Sequence, residues 1–147
     1  MIYSITDDLE NVSADAFGKA LKGLGLNLIV RQIAPHVDFL KEVFDVQEYQ
    51  VASDFALLIY ADHLFQLHAD HTYNSHPLLQ LLPENPPIGT GVGTRLYESD
   101  PNICHDLAVE RGDSILQIPI DKPHSVRESA ILSHDGHVWV PSKSLAD

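Results

Sequence analysis

The stretch FQLHADHTYNSHP, residues 65–77, places His68, Asp70, His71 and His76 close together, the richest cluster of imidazoles and carboxylates in the chain. Such groups ligate divalent transition metals, and an imidazole that titrates near neutrality also serves as a general base. In a strand, alternate side chains share a face, so Gln66, His68 and Asp70 point one way and Phe65 and Leu67 the other. His71 and His76 match no helical ligand spacing and enter a loop. Adjacent Asp70 and His71 diverge in an extended chain, so a metal held by His68, Asp70 and His71 requires a turn directly after the strand. His63, His71 and His76 read as surface or capping residues, and His68 as an interior histidine or a substrate contact.

Further along, Gly91, Gly93, Arg95 and Tyr97 share a face by the same alternation. The two glycines leave room for a ligand beside the Arg95 cation, unless Arg95 pairs with one of the 21 acidic residues. Arg127 and Glu128 open a strand and therefore face opposite sides. An arginine there suits a two-pronged clamp on a carboxylate, or an ion pair across the sheet. Trp139 reads as packing against a helix. No nucleophile constellation is present: no serine sits in a glycine elbow, Cys104 falls within a helix, and GTGVGTR opens a strand where a dinucleotide loop must open a helix.

With 9 basic and 21 acidic residues the formal charge is −12, which repels phosphate backbones and anionic lipid and argues against nucleic-acid and membrane partners. The composition, 44% hydrophobic and 20% charged over 147 residues, suits one globular body. The start MIYSITDDLE has no basic segment followed by an apolar core, and no apolar run approaches the ~18 residues of a membrane span. With Cys104 as the lone cysteine no internal disulfide forms, and a cytoplasmic location is expected.

The elements that position these groups follow from periodicity and punctuation. Ser13 caps a short helix over 14–22 that Gly23 ends, making residues 1–24 an N-terminal appendage. LNLIVRQ is a strand, and Pro35 opens a helix whose Val37, Leu40, Val43 and Phe44 share a face. VQEYQVA, DFALLIYA and HLFQLHAD are three further strands. Residues 74–89 hold several prolines and form a connector. The order then repeats: a strand at GTRLYES, a helix capped by Asp100 and Pro101 with Ile103, Leu107 and Ala108 on its core face and Gly112 at its end, and strands at SILQIPI, ESAILS and HVWV. A shift of 66 residues superposes Pro35 on Pro101, Val37 on Ile103 and Val43 on Val109. Repetition of this order implies an α+β chain of two tandem βαβββ modules, about 25–73 and 90–141, within a domain covering 25–147.

A tandem βαβββ chain ending in SHDGHVWVP resembles the vicinal oxygen chelate superfamily, the glyoxalase, bleomycin-resistance and extradiol-dioxygenase group. HDGHVWV is similar to that family's Asp-Pro-Asp-Gly turn, with His134 in place of the proline; GLNLIVRQIAPHVDFLKEVFDV and SDPNICHDLAVERGDSI are similar to the strand and helix opening each module. The resemblance implies a cup-shaped mixed sheet, a homodimer, and a site inside the cup. Metal-using relatives place one ligand on the first and one on the last strand of each module. Carried over, those positions fall near Gly25 or Asn27, on Gln66, near Gly93 and on Val140. Of these only Gln66 has an oxygen donor clearly in place, so no metal and no cofactor are expected. The resemblance therefore implies a metal-independent protein that binds a small molecule through Asn27, Gln66, His68, Arg95 and Arg127. The alternative it leaves open is a lyase or isomerase with His68 as the catalytic base.

Overall fold

The computed structural model describes residues 16, 18, 19, 21, 23–73, 88, 89 and 91–145. Strand β1 (Asn27–Val30) leads into helix α1 (Ile33–Phe44), followed by β2 (Gln47–Val51), β3 (Phe55–Tyr60) and β4 (His63–Ala69). A short 3-10 helix (Asp70–Tyr73) closes this module. The second runs β5 (Gly93–Tyr97), α2 (Pro101–Arg111), β6 (Ser114–Lys122), β7 (Val126–Leu132) and β8 (Val138–Ser144). Each module forms its own four-stranded mixed sheet, ordered β1-β4-β3-β2 and β5-β8-β7-β6. In both, the first strand lies parallel to the last and the other pairs are antiparallel. The duplicated α+β architecture read from the sequence is therefore present, as two sheets and without a closed barrel.

Of the leading helix, Ala16, Gly18 and Lys19 are helical; Leu21 is not, and Gly23 follows at φ 79°, a left-handed stop. Ser13, its expected cap, and His76 in the connector lie outside the described residues.

Local chemistry explains both helices. Pro35 sits in the first turn of α1, where its missing N–H costs no helical hydrogen bond. The Asp100 carboxylate caps α2 by accepting the N–H groups of Asn102 at 2.9 Å and Ile103 at 3.2 Å, and Gly112 ends it at φ 85°. Those N–H donors, Ile103 foremost, hold the Asp100 carboxyl below its ordinary range. Helix α1 lays Val37, Leu40, Val43 and Phe44 over the face of the first sheet that carries Leu28, Val30, Ala56, Leu58, Phe65 and Leu67.

Helix α2 keeps Ala108 of the expected face and departs from it at Ile103 and Leu107. It buries Pro101, Cys104 and Ala108, whereas Ile103 is 59% and Leu107 36% exposed. The small side chains at 104 and 108 let the helix approach closely, and the Cys104 thiol donates to the Val43 carbonyl of α1 at 3.3 Å. Burial raises the pKa of that thiol, so Cys104 serves packing.

Candidate functional site

On the first sheet, the face turned away from α1 carries the polar groups. Parallel pairing sets Asn27 beside Gln66 and Ile29 beside His68, while antiparallel pairing sets Leu57 beside Gln66 and Phe55 beside His68. Asn27, Gln66 and His68 therefore share one face. His68 Nδ1 donates to Asn27 Oδ1 at 2.7 Å, and its ring lies 5.5 Å from that of Phe55. Burial lowers the His68 pKa more than the Asp54 charge raises it, which favours the neutral ring. With Nδ1–H committed to Asn27, the lone pair of that neutral ring resides on Nε2.

Asp70 and His71 do not join this group. A turn does follow the strand, yet the Asp70 carboxylate accepts from Arg31 Nη1 at 2.7 Å and His71 is exposed. Among the described residues no three His, Cys, Asp or Glu side chains converge on a metal position.

The corresponding face of the second sheet is organised by Glu128. Its buried carboxylate lies 3.6 Å from Arg95 Nη1 and 3.8 Å from Lys122 Nζ. Arg95 thus sits on the expected face, beside Val140, but its described polar contact is made within its own sheet. Arg127 falls on the other side and corrects the expectation that it lines the same space. Because Glu128 takes the helix-free face opposite Ser142, alternation sends Arg127 toward α2. There it donates to Asn102 Oδ1 at 3.1 Å and Asp121 Oδ1 at 2.8 Å.

The four positions named by the resemblance can now be tested as a donor set. Asn27 and Gln66 stand side by side, Gly93 pairs with Val138, and Val140 pairs with Arg95. Two neutral amides, a glycine and a valine do not make a divalent-cation site, since transition metals favour imidazole, thiolate or carboxylate ligands.

A second polar centre, which the sequence reading missed, joins the modules. The Asp135 carboxylate, in the turn before β8, accepts the Arg31 backbone N–H at 2.6 Å. His137 Nε2 donates to the Ile29 carbonyl at 2.8 Å, and a Cβ on Gly89 would collide with the His137 ring. His36 of α1 donates from Nδ1 to the Gln32 carbonyl at 3.1 Å, and its Nε2 faces the Asp135 carboxylate at 3.6 Å. All three side chains are buried. The one signal in the sequence was the HDGH turn itself.

No protein-family model matches the sequence, and no curated protein matches it. Solved structures do match. A glyoxalase/bleomycin resistance protein/dioxygenase family enzyme from Burkholderia phytofirmans superposes with a TM-score of 0.69 at 17% identity, covering 82% of this chain and 96% of that one. This chain has the glyoxalase/bleomycin-resistance fold. A glyoxalase/bleomycin resistance protein/dioxygenase from Nocardioides gives a TM-score of 0.63 at 18% identity over 88% of this chain and 90% of that one. A fosfomycin resistance protein from Mesorhizobium loti gives 0.60 at 16% identity over 84% and 93%. The likeness covers more than four fifths of this chain and shows its fold.

Proposed function

We propose that this protein binds a small organic molecule without a metal, on the face that carries Asn27, Gln66 and His68. The supporting observation is that Asn27 and Gln66, at or near positions where metal-using relatives carry ligands, share one face with a neutral-leaning imidazole, His68, and with Ile29, Phe55 and Leu57. Amides and imidazole recognise a polar head, and the apolar neighbours receive a hydrophobic body. Likeness in fold to bleomycin- and fosfomycin-resistance proteins fits a sequestering role, with the identity of the ligand set by these few side chains. The reading includes a homodimer in the cytoplasm, for which Leu116 and Ile118, exposed on edge strand β6, supply apolar surface.

Thermal-shift and calorimetric titration with fosfomycin, a bleomycin-type glycopeptide and small α-hydroxycarbonyl compounds tests this reading. A ligand of this face is expected to bind one per chain and to weaken about tenfold in His68→Gln, the loss of one well-placed hydrogen bond. A ligand whose affinity is unchanged in both His68→Gln and Asn27→Ala does not use the face.

A second reading, proton transfer in a lyase or isomerase, is favoured by one feature. The Asn27 contact orients His68 and leaves Nε2 as the basic nitrogen. Turnover of a hemithioacetal that disappears in His68→Gln would place this reading first.

A further inference from the structure

Each sheet has two edge strands, and three of the four are blunted. At the end of β1, the Ile29 carbonyl and the Arg31 N–H are taken by His137 and Asp135 of the other module. Strand β2 is interrupted by a register shift between Glu48 and Gln50, and β6 by two shifts and by Pro119, devices that keep an edge from pairing. Strand β5 has none of these: Gly93–Tyr97 runs in unbroken register with β8 and contains no proline. Among the described residues its backbone pairs with the backbone of β8 alone, so its other N–H and C=O groups point outward. That edge opens on a cleft of about 420 Å³. Thr94, Arg95, Leu96, Tyr97 and Glu98 all line it, and consecutive residues meet one space only along a strand's edge, since side chains alternate between faces. Across the cleft stand Leu24, Leu26, Leu64 and Phe65, and the Tyr60 hydroxyl reaches over to donate to the Tyr97 carbonyl at 2.6 Å. What the cleft still lacks is an extended backbone for the edge and apolar side chains for the walls.

The chain itself supplies such a segment. MIYSIT, residues 1–6, is uncharged, and Ile2, Tyr3, Ile5 and Thr6 favour the extended state. Residues 7–23 join it to Leu24 in the cleft wall, and an extended stretch the length of 7–13 alone reaches about 20 Å. Such a tether holds a segment at a local concentration on the order of millimolar, ahead of any free peptide. The volume admits a few residues of strand, whereas a second folded chain brings a patch of about 800 Å². We propose that residues 1–6 add to the edge of β5 as a fifth strand and fill the cleft, a strap that closes the one unguarded edge among the described strands.

Amide hydrogen exchange of the full chain, followed by NMR at single residues of Gly93–Tyr97, tests the strap. The outward amides of an open edge exchange quickly; under a paired strand they are expected to slow about tenfold or more. Ser4→Pro combined with Ile5→Pro removes two adjacent N–H groups, so whichever parity faces β5 loses its donor, and the fast rate should return. The inward amides, bonded to β8, should stay slow in that variant, which shows that the sheet itself is intact. Ser4→Thr combined with Ile5→Val keeps the extended preference and should keep the protection. Emission of Trp139, the only tryptophan, checks that each variant is folded. Fast exchange of the outward amides in the native protein overturns the proposal. So does protection that survives the double proline, because another occupant then covers the edge. Protection that grows with protein concentration also overturns it, because that occupant is then a second copy.

Discussion

Trp139→Ala is expected to lower the unfolding free energy by about 4 kcal/mol, within the range for deleting a large buried aromatic. The indole belongs to β8 of the second module, where it pairs with Thr94 and Ile131, but its aromatic neighbours lie in the first. Its ring centroid is 6.3 Å from Phe39 and 6.4 Å from Phe44 on α1, and 6.2 Å from Phe65 on β4. Each aromatic pair adds about 0.5–1.5 kcal/mol beyond its buried area, and the alanine variant loses three at once. Polar contacts also cross the junction, among them the Cys104 thiol with Val43, the Tyr60 hydroxyl with the Tyr97 carbonyl and Arg111 with Glu42, but none replaces the buried aromatic surface. Urea unfolding followed by circular dichroism should show a much lower midpoint. A loss below about 1 kcal/mol would mean that Trp139 does not hold the modules together.

Asp135→Ala carries the second large effect, about 3 kcal/mol, because it removes a buried carboxylate that accepts the part-buried Arg31 N–H and faces His36. The same centre sets a pH dependence. Burial, the strongest influence, lowers the His36 pKa; the Gln32 hydrogen bond and the Asp135 charge partly oppose it, while His137 and His134 act with burial. A native value below the unfolded imidazole value of about 6.5 means that the unfolded chain binds more protons in that interval. The contribution of His36 to stability is therefore complete above pH ~6.5 and is lost as pH falls through the lowered native value. His68 is shifted in the same direction and adds to the slope. Denaturant titrations between pH 8 and 5 should show stability falling with acidification, and His36→Gln should flatten the decline. Stability that rises over this interval, or an unchanged slope in His36→Gln, contradicts this account of the junction.

These two centres mark where sequence reasoning reached its limit. Caps and turns were legible because the interacting groups are neighbours: Asp100 with Asn102 and Ile103, and Gly112 at the end of α2. Alternation along β4 correctly grouped Gln66 with His68, since one parity choice fixes a whole strand. It could not say which of Arg127 and Glu128 took which side, because that phase depends on pairing with β8. On α2, Ala108 was read onto the buried face, where it lies, but the apolar character of Ile103 and Leu107 drew them onto it as well, in place of the small Cys104. The Asp135 contact to Arg31 spans 104 positions, so no local pattern announces it. The indole donor of Trp139, which has no hydrogen-bond partner among the described residues, was equally invisible, since only the packed structure shows how polar atoms are matched.

The claim of metal-independent binding is tested most directly by elemental analysis of protein purified without chelators and then dialysed against Zn, Ni, Co, Mn and Fe in turn. The amide, glycine and valine side chains at positions 27, 66, 93 and 140 lead us to expect far less than one equivalent of any ion, with no difference between the native protein and His68→Ala. One tightly held equivalent, released by His68→Ala, would contradict the account.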